Sequence, residues 1–307
     1  MNLSEIPLFT LNENSDEIVF SLVYATVSFF LLPLYFLVML TLYLKDQRQA
    51  NMTYKLMNLC NFFEVGQAVG HFVSFPILLF PMMQVRFDVL IRIIACVINT
   101  FWIAEIPIMT ALAVSRILVF SGVIQTGRMH RGVQVVVVLI LAWISFVLIV
   151  GCVTGNMAFY PPCWGYDHEI LYADIFETLE LVVSFPSLAV SYISYIVITV
   201  IIYTKKKISS ATSRKNEIAI LLQYTFVATY MTVLIILWHK GDNWFDMTNP
   251  RIQATINVFW IACAYLSPVM LLILNVPIRQ ECLALLGFEV SRKKNRNRLT
   301  TSIWSAA

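Results

Sequence analysis

Seven long apolar stretches occupy most of this 307-residue chain, near residues 18–44, 55–80, 89–120, 133–157, 173–204, 217–239 and 251–275. Each reaches the roughly 20 apolar residues that a bilayer core demands of a helix. Seven crossings put the two ends of the chain on opposite sides of a membrane. The charges then say which end is where. Lys45, Arg48, Lys55, Arg116, Arg128, Arg131, Lys205, Lys206, Lys207, Arg214, Lys215, Arg279, Arg292, Lys293, Lys294, Arg296 and Arg298 all fall on one side, 17 of the 21 Lys and Arg residues. Arg86, Arg92, Lys240 and Arg251 are the remainder. The first 20 residues carry Glu5, Glu13, Asp16 and Glu17 and no basic residue. Basic loops stay cytoplasmic, so the N-terminus is expected outside and the C-terminus inside.

Composition agrees with a single membrane-embedded unit. The chain is 59% hydrophobic and 13% charged, against about 25% charged in a soluble domain. The short loops leave no room for a soluble domain. The net charge of +3 is topological charge facing an anionic leaflet, so nucleic acid is not an expected partner and the bilayer is. Span 1 is long enough to serve as the insertion signal, and no cleavable leader is evident.

No repeat or low-complexity segment is seen. The fold class expected is an all-α membrane protein, a seven-transmembrane helix bundle with a short amphipathic helix after span 7. Its parts are an extracellular N-terminus (1–17), the bundle (18–275), the surface helix (276–288) and a basic cytoplasmic tail (289–307). In the surface helix Ile278, Cys282, Leu285 and Leu286 share one face, with Arg279, Gln280 and Glu281 elsewhere. A lipid-facing Cys282 is a palmitoylation candidate; a plain reduced thiol is the alternative. Asn2-Leu3-Ser4 is a glycosylation sequon on the outer side, whereas Asn51-Met52-Thr53 falls inside by the charge rule.

Polar residues within spans are costly and mark candidate sites. Span 3 is richest. Glu105 and Arg116 stand 11 residues apart, about three turns, and point the same way; Arg92 and Asn99 form a second stripe. Glu105 reads either as a ligand or ion contact or as a structural partner for a polar neighbour. Arg116 by itself reads as a snorkelling cation at a helix end. Glu64, Gln67 and His71 cluster on one narrow face of span 2, which must turn toward protein. Asp174, Glu177 and Glu180 recur at the start of span 5, either an acidic vestibule for a cationic ligand or a solvated helix start. Trp238, Trp244, Phe259 and Trp260 form either an interfacial belt or, for Phe259 or Trp260, part of a pocket. The apolar tone points to a small, largely hydrophobic ligand.

The stretch SPVMLLILNVPIRQECLALL (267–286) resembles the span-7 signature of rhodopsin-like G-protein-coupled receptors. Ser267-Pro268 stands where the family has Asn-Pro, and Leu271 replaces the following Tyr. Asn275, Ile278 and Arg279 fall in register with the start of the surface helix. Trp143, Pro186 and Arg116, the last in AVSRILVF, are similar to further landmarks. The sequence departs from the family where Ser115 replaces the acid before Arg116, Ile117 replaces the Tyr after it, and span 6 has no proline. Such departures resemble the nematode serpentine chemoreceptors. LPLYFLVMLTLYL and NMTYKLMNLCNFFEVGQAVGHF, between residues 32 and 72, are most similar to their class T (Srt) branch.

The resemblance implies a chemosensory receptor at the plasma membrane of a sensory-neuron cilium. It would bind a small ligand in the outer half of the bundle and engage a heterotrimeric G protein inside, alone or as an oligomer, with no cofactor or metal. Arg116, Ser115, Pro268, Asn275 and Arg279 would form the coupling switch. Arg92, Asn99, Glu105, His71, Glu177, Glu180, Phe259 and Trp260 would be pocket candidates. Glu64 and Gln67 would form a buried polar network, with Glu64 the alternative counterpart of the family's span-2 sodium site. The family usually staples the loop after span 4 to span 3, which makes Cys96 and Cys163 a disulfide candidate, with Cys152 the rival partner for Cys163.

A seven-span ligand-gated channel is one alternative, but insect-type odorant receptors run the opposite way through the membrane. A small-molecule transporter is another, expected to show broken helices or repeats. An enzyme is not expected, since neither His-Glu-x-x-His nor Gly-x-Ser-x-Gly occurs. Residues 251–275 contain no Lys for a retinal Schiff base.

Overall fold

The computed structural model describes residues 7–49, 52–124, 129–204 and 211–288. Asn2, Asn51, Arg128, the basic segment 205–210 and the tail from 289 lie outside the described residues. The elements run α1 (Ser15–Gln49), α2 (Met52–Leu79), α3 (Met82–Arg86), α4 (Asp88–Ser121), α5 (Arg131–Thr154), β1 (Met157–Tyr160), β2 (Cys163–Tyr166), α6 (Ala173–Thr204), α7 (Ala211–Lys240), α8 (Pro250–Leu274) and α9 (Val276–Leu285). Among the described residues seven helices, α1, α2 and α4 to α8, are long and apolar enough to cross a membrane. They match the seven expected spans. The fourth ends at Thr154, short of 157, where Gly155 takes a left-handed backbone (φ 64°) and Met157 opens a strand.

Local chemistry accounts for the helix limits. Asn249 caps α8 by accepting from Arg251 N at 2.9 Å, with Pro250 in the first turn. Gly122 ends α4 with φ 84°. Pro33, Pro76, Pro107, Pro186 and Pro268 sit inside helices, which membrane bundles tolerate because neighbours re-satisfy the freed carbonyls.

The helices form a ring. α1 packs on α2, α2 on α4, α4 on α6, α6 on α7, α7 on α8 and α8 back on α1. α4 runs through the middle, and α5 leans on its outer side. Gly66 and Gly70 let α2 and α4 approach closely. A methyl group on Gly66 would overlap the Phe101 ring, and one on Gly70 would overlap Ile98. The outward faces stay apolar, with Phe30 70%, Val138 62% and Ile196 65% exposed. Such a belt fits hydrocarbon rather than water.

The two ends of the bundle differ. One carries residues 7–14, α3 and the β1–β2 hairpin; Asn12 N bonds the Leu79 carbonyl at 3.0 Å there. The other carries α9, tied to α1 by Lys45 and Glu281 at 3.6 Å. α9 turns Ile278 and Cys282 into the protein and leaves Leu285 and Leu286 exposed. Cys282 is 3% exposed, and its Sγ lies 3.2 Å from Thr41 Oγ1 of α1. The outward-facing thiol expected for palmitoylation is therefore an inward-facing one, and burial pushes its pKa up.

Candidate functional site: a capped aromatic cavity above a polar core

The hairpin folds over its end of the bundle as a plug. β1 and β2 pair antiparallel, Met157 with Tyr166 and Tyr160 with Cys163. Six side-chain bonds tie it to the helices around, one of them from Tyr166 Oη to Glu180 of α6. Tyr24 Oη donates to the Pro162 carbonyl (3.0 Å), Asn257 Nδ2 to the same carbonyl (3.5 Å), and Gln84 Nε2 to the Phe159 carbonyl (2.7 Å). Trp164 Nε1 donates to Ser74 Oγ (2.8 Å), and Asn99 Nδ2 to Tyr166 Oη (2.9 Å). Arg92 clamps the far side. Its Nη1 meets Asp167 Oδ2 at 2.6 Å and the Gly155 carbonyl at 3.1 Å, and its Nε meets Asp88 at 3.1 Å. The hydrogen bond from Arg92 holds the Asp167 carboxyl below its ordinary range.

Beneath the plug lies a cavity of about 20 Å³ walled by His71, Asn99, Trp164, Tyr166, Glu180, Trp238, Asn257 and Trp260. That is room for one water. Trp260 stands 4.7 Å from Trp102 and 5.0 Å from Trp238, ring centre to ring centre, and 6.4 Å from His71. Glu180 closes the α6 side. It accepts from Trp102 Nε1 at 2.9 Å and from Tyr166 Oη at 2.8 Å, while His239 Nε2 lies 3.8 Å away. His239 Nδ1 in turn meets Glu177 at 3.1 Å. Burial, and then the neighbouring Glu180, hold the Tyr166 phenol well above its usual range, so it donates.

Two polar groups at this cavity lack partners. His71 is 2% exposed, and neither ring nitrogen has a hydrogen bond; Trp260 Nε1 has none either. A buried polar atom without a partner costs about 1–3 kcal/mol. The histidine offers one donor and one acceptor, and the indole one donor. Whatever enters the cavity meets three unused hydrogen-bonding positions among tryptophan faces.

Below the cavity the buried polar residues of α1, α2, α4 and α8 converge. Tyr35 donates its hydroxyl to Glu64. Glu64 also lies beside Ser267 and Glu105. Gln67 Nε2 donates to Glu105 at 2.8 Å. Gln223 of α7 extends the set, donating to the Ser267 carbonyl at 3.1 Å. The network thus ties five helices at the Ser267-Pro268 step.

At the α9 end Arg116 is 5% exposed. It lies 5.8 Å from the Phe120 ring centre and borders a cavity of about 10 Å³ with Tyr195, Ile220 and Tyr224. Ser115 Oγ bonds its own helix, at the Leu112 carbonyl (2.8 Å). Asn275 and Arg279 join α8 to α9. Asn275 Oδ1 caps α9 by accepting from Ile278 N at 3.2 Å, and Arg279 Nη1 donates to the Leu272 and Ile273 carbonyls at 3.1 Å each.

The expected pocket residues therefore divide. His71, Asn99, Glu180 and Trp260 line the cavity. Glu177 supports it through His239. Glu105 belongs to the network below, because its α4 turn faces Gln67 and Glu64. Arg92 anchors the hairpin instead, because Asp167 draws it outward. Phe259 is 46% exposed on the lipid side, and its carbonyl accepts from Tyr230. Cys96 and Cys163 are both free thiols. Cys96 faces α5, donating to the Gly151 carbonyl at 3.2 Å and touching Cys152. Cys163 sits in β2 beside Pro162, on the α1–α8 side, and burial pushes its thiol up to about 12. Trp102, Trp164, Tyr166, Trp238, His239 and Asn257 complete the site. Their aromatic and polar character was legible, but the hairpin that gathers them was not.

The chain superposes on the crystal structure of squid rhodopsin with a TM-score of 0.58 and 11% sequence identity, over 91% of this chain and 87% of that one. Its fold is a rhodopsin-like seven-helix bundle. No protein-family model and no curated protein matches the sequence. The seven helices long and apolar enough to cross a membrane fit that fold.

Proposed function

We propose that this protein is a chemosensory G-protein-coupled receptor. A small ligand would enter the aromatic cavity under the hairpin, and a heterotrimeric G protein would engage the Arg116 end. The observation that carries the reading is the buried, unpartnered His71 and Trp260 Nε1 at a closed cavity walled by tryptophan. The cavity of about 20 Å³ would have to widen to admit anything larger than a water. A largely apolar ligand with one acceptor for Trp260 and one polar complement for His71 would spread the tryptophans and satisfy both groups. Ligand binding shifts a conformational equilibrium by its differential affinity for the two states. The polar network at Glu64, Glu105, Gln67 and Ser267 lies between the two ends and is the element whose rearrangement would link them.

The positive-inside count supports an N-terminus outside the plasma membrane, and the rhodopsin-like fold supports the receptor class. The resemblance of residues 32–72 to class T nematode chemoreceptors supports the branch. The test is a small-molecule screen on cells co-expressing the protein and a G-protein dissociation sensor. Hits should lose potency in His71→Ala and Trp260→Phe. Hits that activate both variants as well as the parent would remove the cavity from the reading. Ligand-gated currents without G-protein dissociation would establish the channel alternative.

A further inference from the structure

A second, larger cavity opens on the flank of the bundle. It measures about 490 Å³ and lies where α5 and α6 both lean on α4 but scarcely touch each other. Its floor is Ala111, Val114 and Leu118 of α4; Val136 and Ile140 of α5 form one wall. Thr110 Oγ1 closes the α6 side by donating to the Ser187 carbonyl at 2.9 Å. From Gly132 to Ile140 the groove follows α5 for about 12 Å, at about 1.5 Å per residue. Val136 is 47% and Val114 36% exposed, so the groove is open to the surrounding hydrocarbon. Empty volume against lipid forfeits dispersion contacts on every wall, so the groove favours an apolar chain.

The mouth is not apolar. His130 lines it, with Arg131 exposed beside it at the start of α5. His130 Nδ1 accepts from Gly132 N at 3.2 Å, which leaves Nε2 to carry a proton and donate. The positive end of the 24-residue α5 dipole falls at the same place. An imidazole donor and a helix N-terminus at the mouth of one apolar slot, with an exposed guanidinium on the next residue, are complementary to a phosphate carrying a hydrocarbon tail.

We propose that this groove is a binding site for an anionic glycerophospholipid, one acyl chain lying between α4 and α5 and the phosphate at His130 and Arg131. The bound chain packs over Ser115, one residue before Arg116, and steadies the α9-end half of α4. The site depends on the bundle spanning a membrane and not on any signalling role.

The test uses the full-length protein in lipid nanodiscs containing a trace of phosphatidylserine with a photoreactive diazirine on its acyl chain. Adducts mapped by mass spectrometry should concentrate in peptides spanning 107–124 and 129–140. Val136→Trp and Val114→Trp fill the groove from lipid-exposed positions and should each cut that labelling several-fold. Val138→Trp, on α5 but outside the groove and 62% exposed, should leave it unchanged. A phosphatidylcholine probe with the same chain should label several-fold less, and Arg131→Gln should erase the difference. Labelling spread evenly round the belt, or undiminished in Val136→Trp and Val114→Trp, would overturn the site. Equal labelling by phosphatidylcholine, or by a free fatty acid with the same chain, would overturn the headgroup assignment.

Discussion

Replacing His71 by phenylalanine separates two roles that a buried polar ring can have. If the ring only filled space, its unpartnered nitrogens would be a net cost, and an apolar ring of similar shape is neutral or stabilising. The thermal midpoint of His71→Phe should therefore hold or rise, while ligand response falls at least tenfold, about 1.4 kcal/mol of lost interaction. A fall in midpoint together with unchanged potency would give His71 a purely structural part. Arg116 asks a different question. It sits among Tyr195, Tyr224 and Phe120 rather than being held by an adjacent acid, since position 115 is a serine bonded to its own helix. Arg116→Ala should reach the cell surface normally and lose most G-protein dissociation at saturating ligand. Unchanged dissociation would remove the switch role. Both residues were legible as polar positions in apolar spans; their surroundings were not, because those come from α6, α7 and the hairpin.

At the scale of elements, the α2–α4 seam and the hairpin carry the sharpest expectations. Gly66 and Gly70 are spaced four residues apart, and each abuts an α4 side chain that a methyl would strike. Gly66→Val should cost about 1–3 kcal/mol by overpacking, read as a lower melting temperature in detergent. An unchanged midpoint would mean that Phe101 swings aside freely. The hairpin hangs on Arg92 and Asp167. Arg92 holds the folded pKa of Asp167 below its ordinary 3.8. The stabilisation is thus fully present above the unfolded value and is lost as pH falls through the lower folded one. Protection of the 157–166 amides, taken relative to the intrinsic exchange rate at each pH, should stay high at neutral pH and fall below about pH 4. In Asp167→Asn it should be lower at neutral pH and lose that acid step. An acid step that survives Asp167→Asn would assign it to another carboxyl. The span limits were readable to within a few residues, since apolar length and capping residues are local. The hairpin was not, because its four-residue strands are stabilised by bonds to six helices rather than by their own pattern.

For the whole molecule, the charge distribution makes the first experiment. Tags on each terminus, stained with and without permeabilisation, should report an N-terminus outside and a C-terminus inside. The reverse would favour an inverted, channel-like architecture and direct the work to electrophysiology. The amino-acid sequence alone determined the fold class and the number of long apolar spans, because apolar length acts on each segment separately, and the placement of Lys and Arg set the expected side of each loop. Only the tertiary structure decided which polar residues meet. Glu64 and Glu105 lie 41 positions apart in the chain, yet lie side by side because two glycines bring α2 against α4. Cys96 and Cys163 were a candidate pair on the family resemblance, with Cys152 the rival, yet remain free thiols because α4 turns one toward α5 while the hairpin carries the other to the α1–α8 side. A helix that is apolar all round has no stripe to announce its inward face, so the partners of its polar residues are set by how the helices pack.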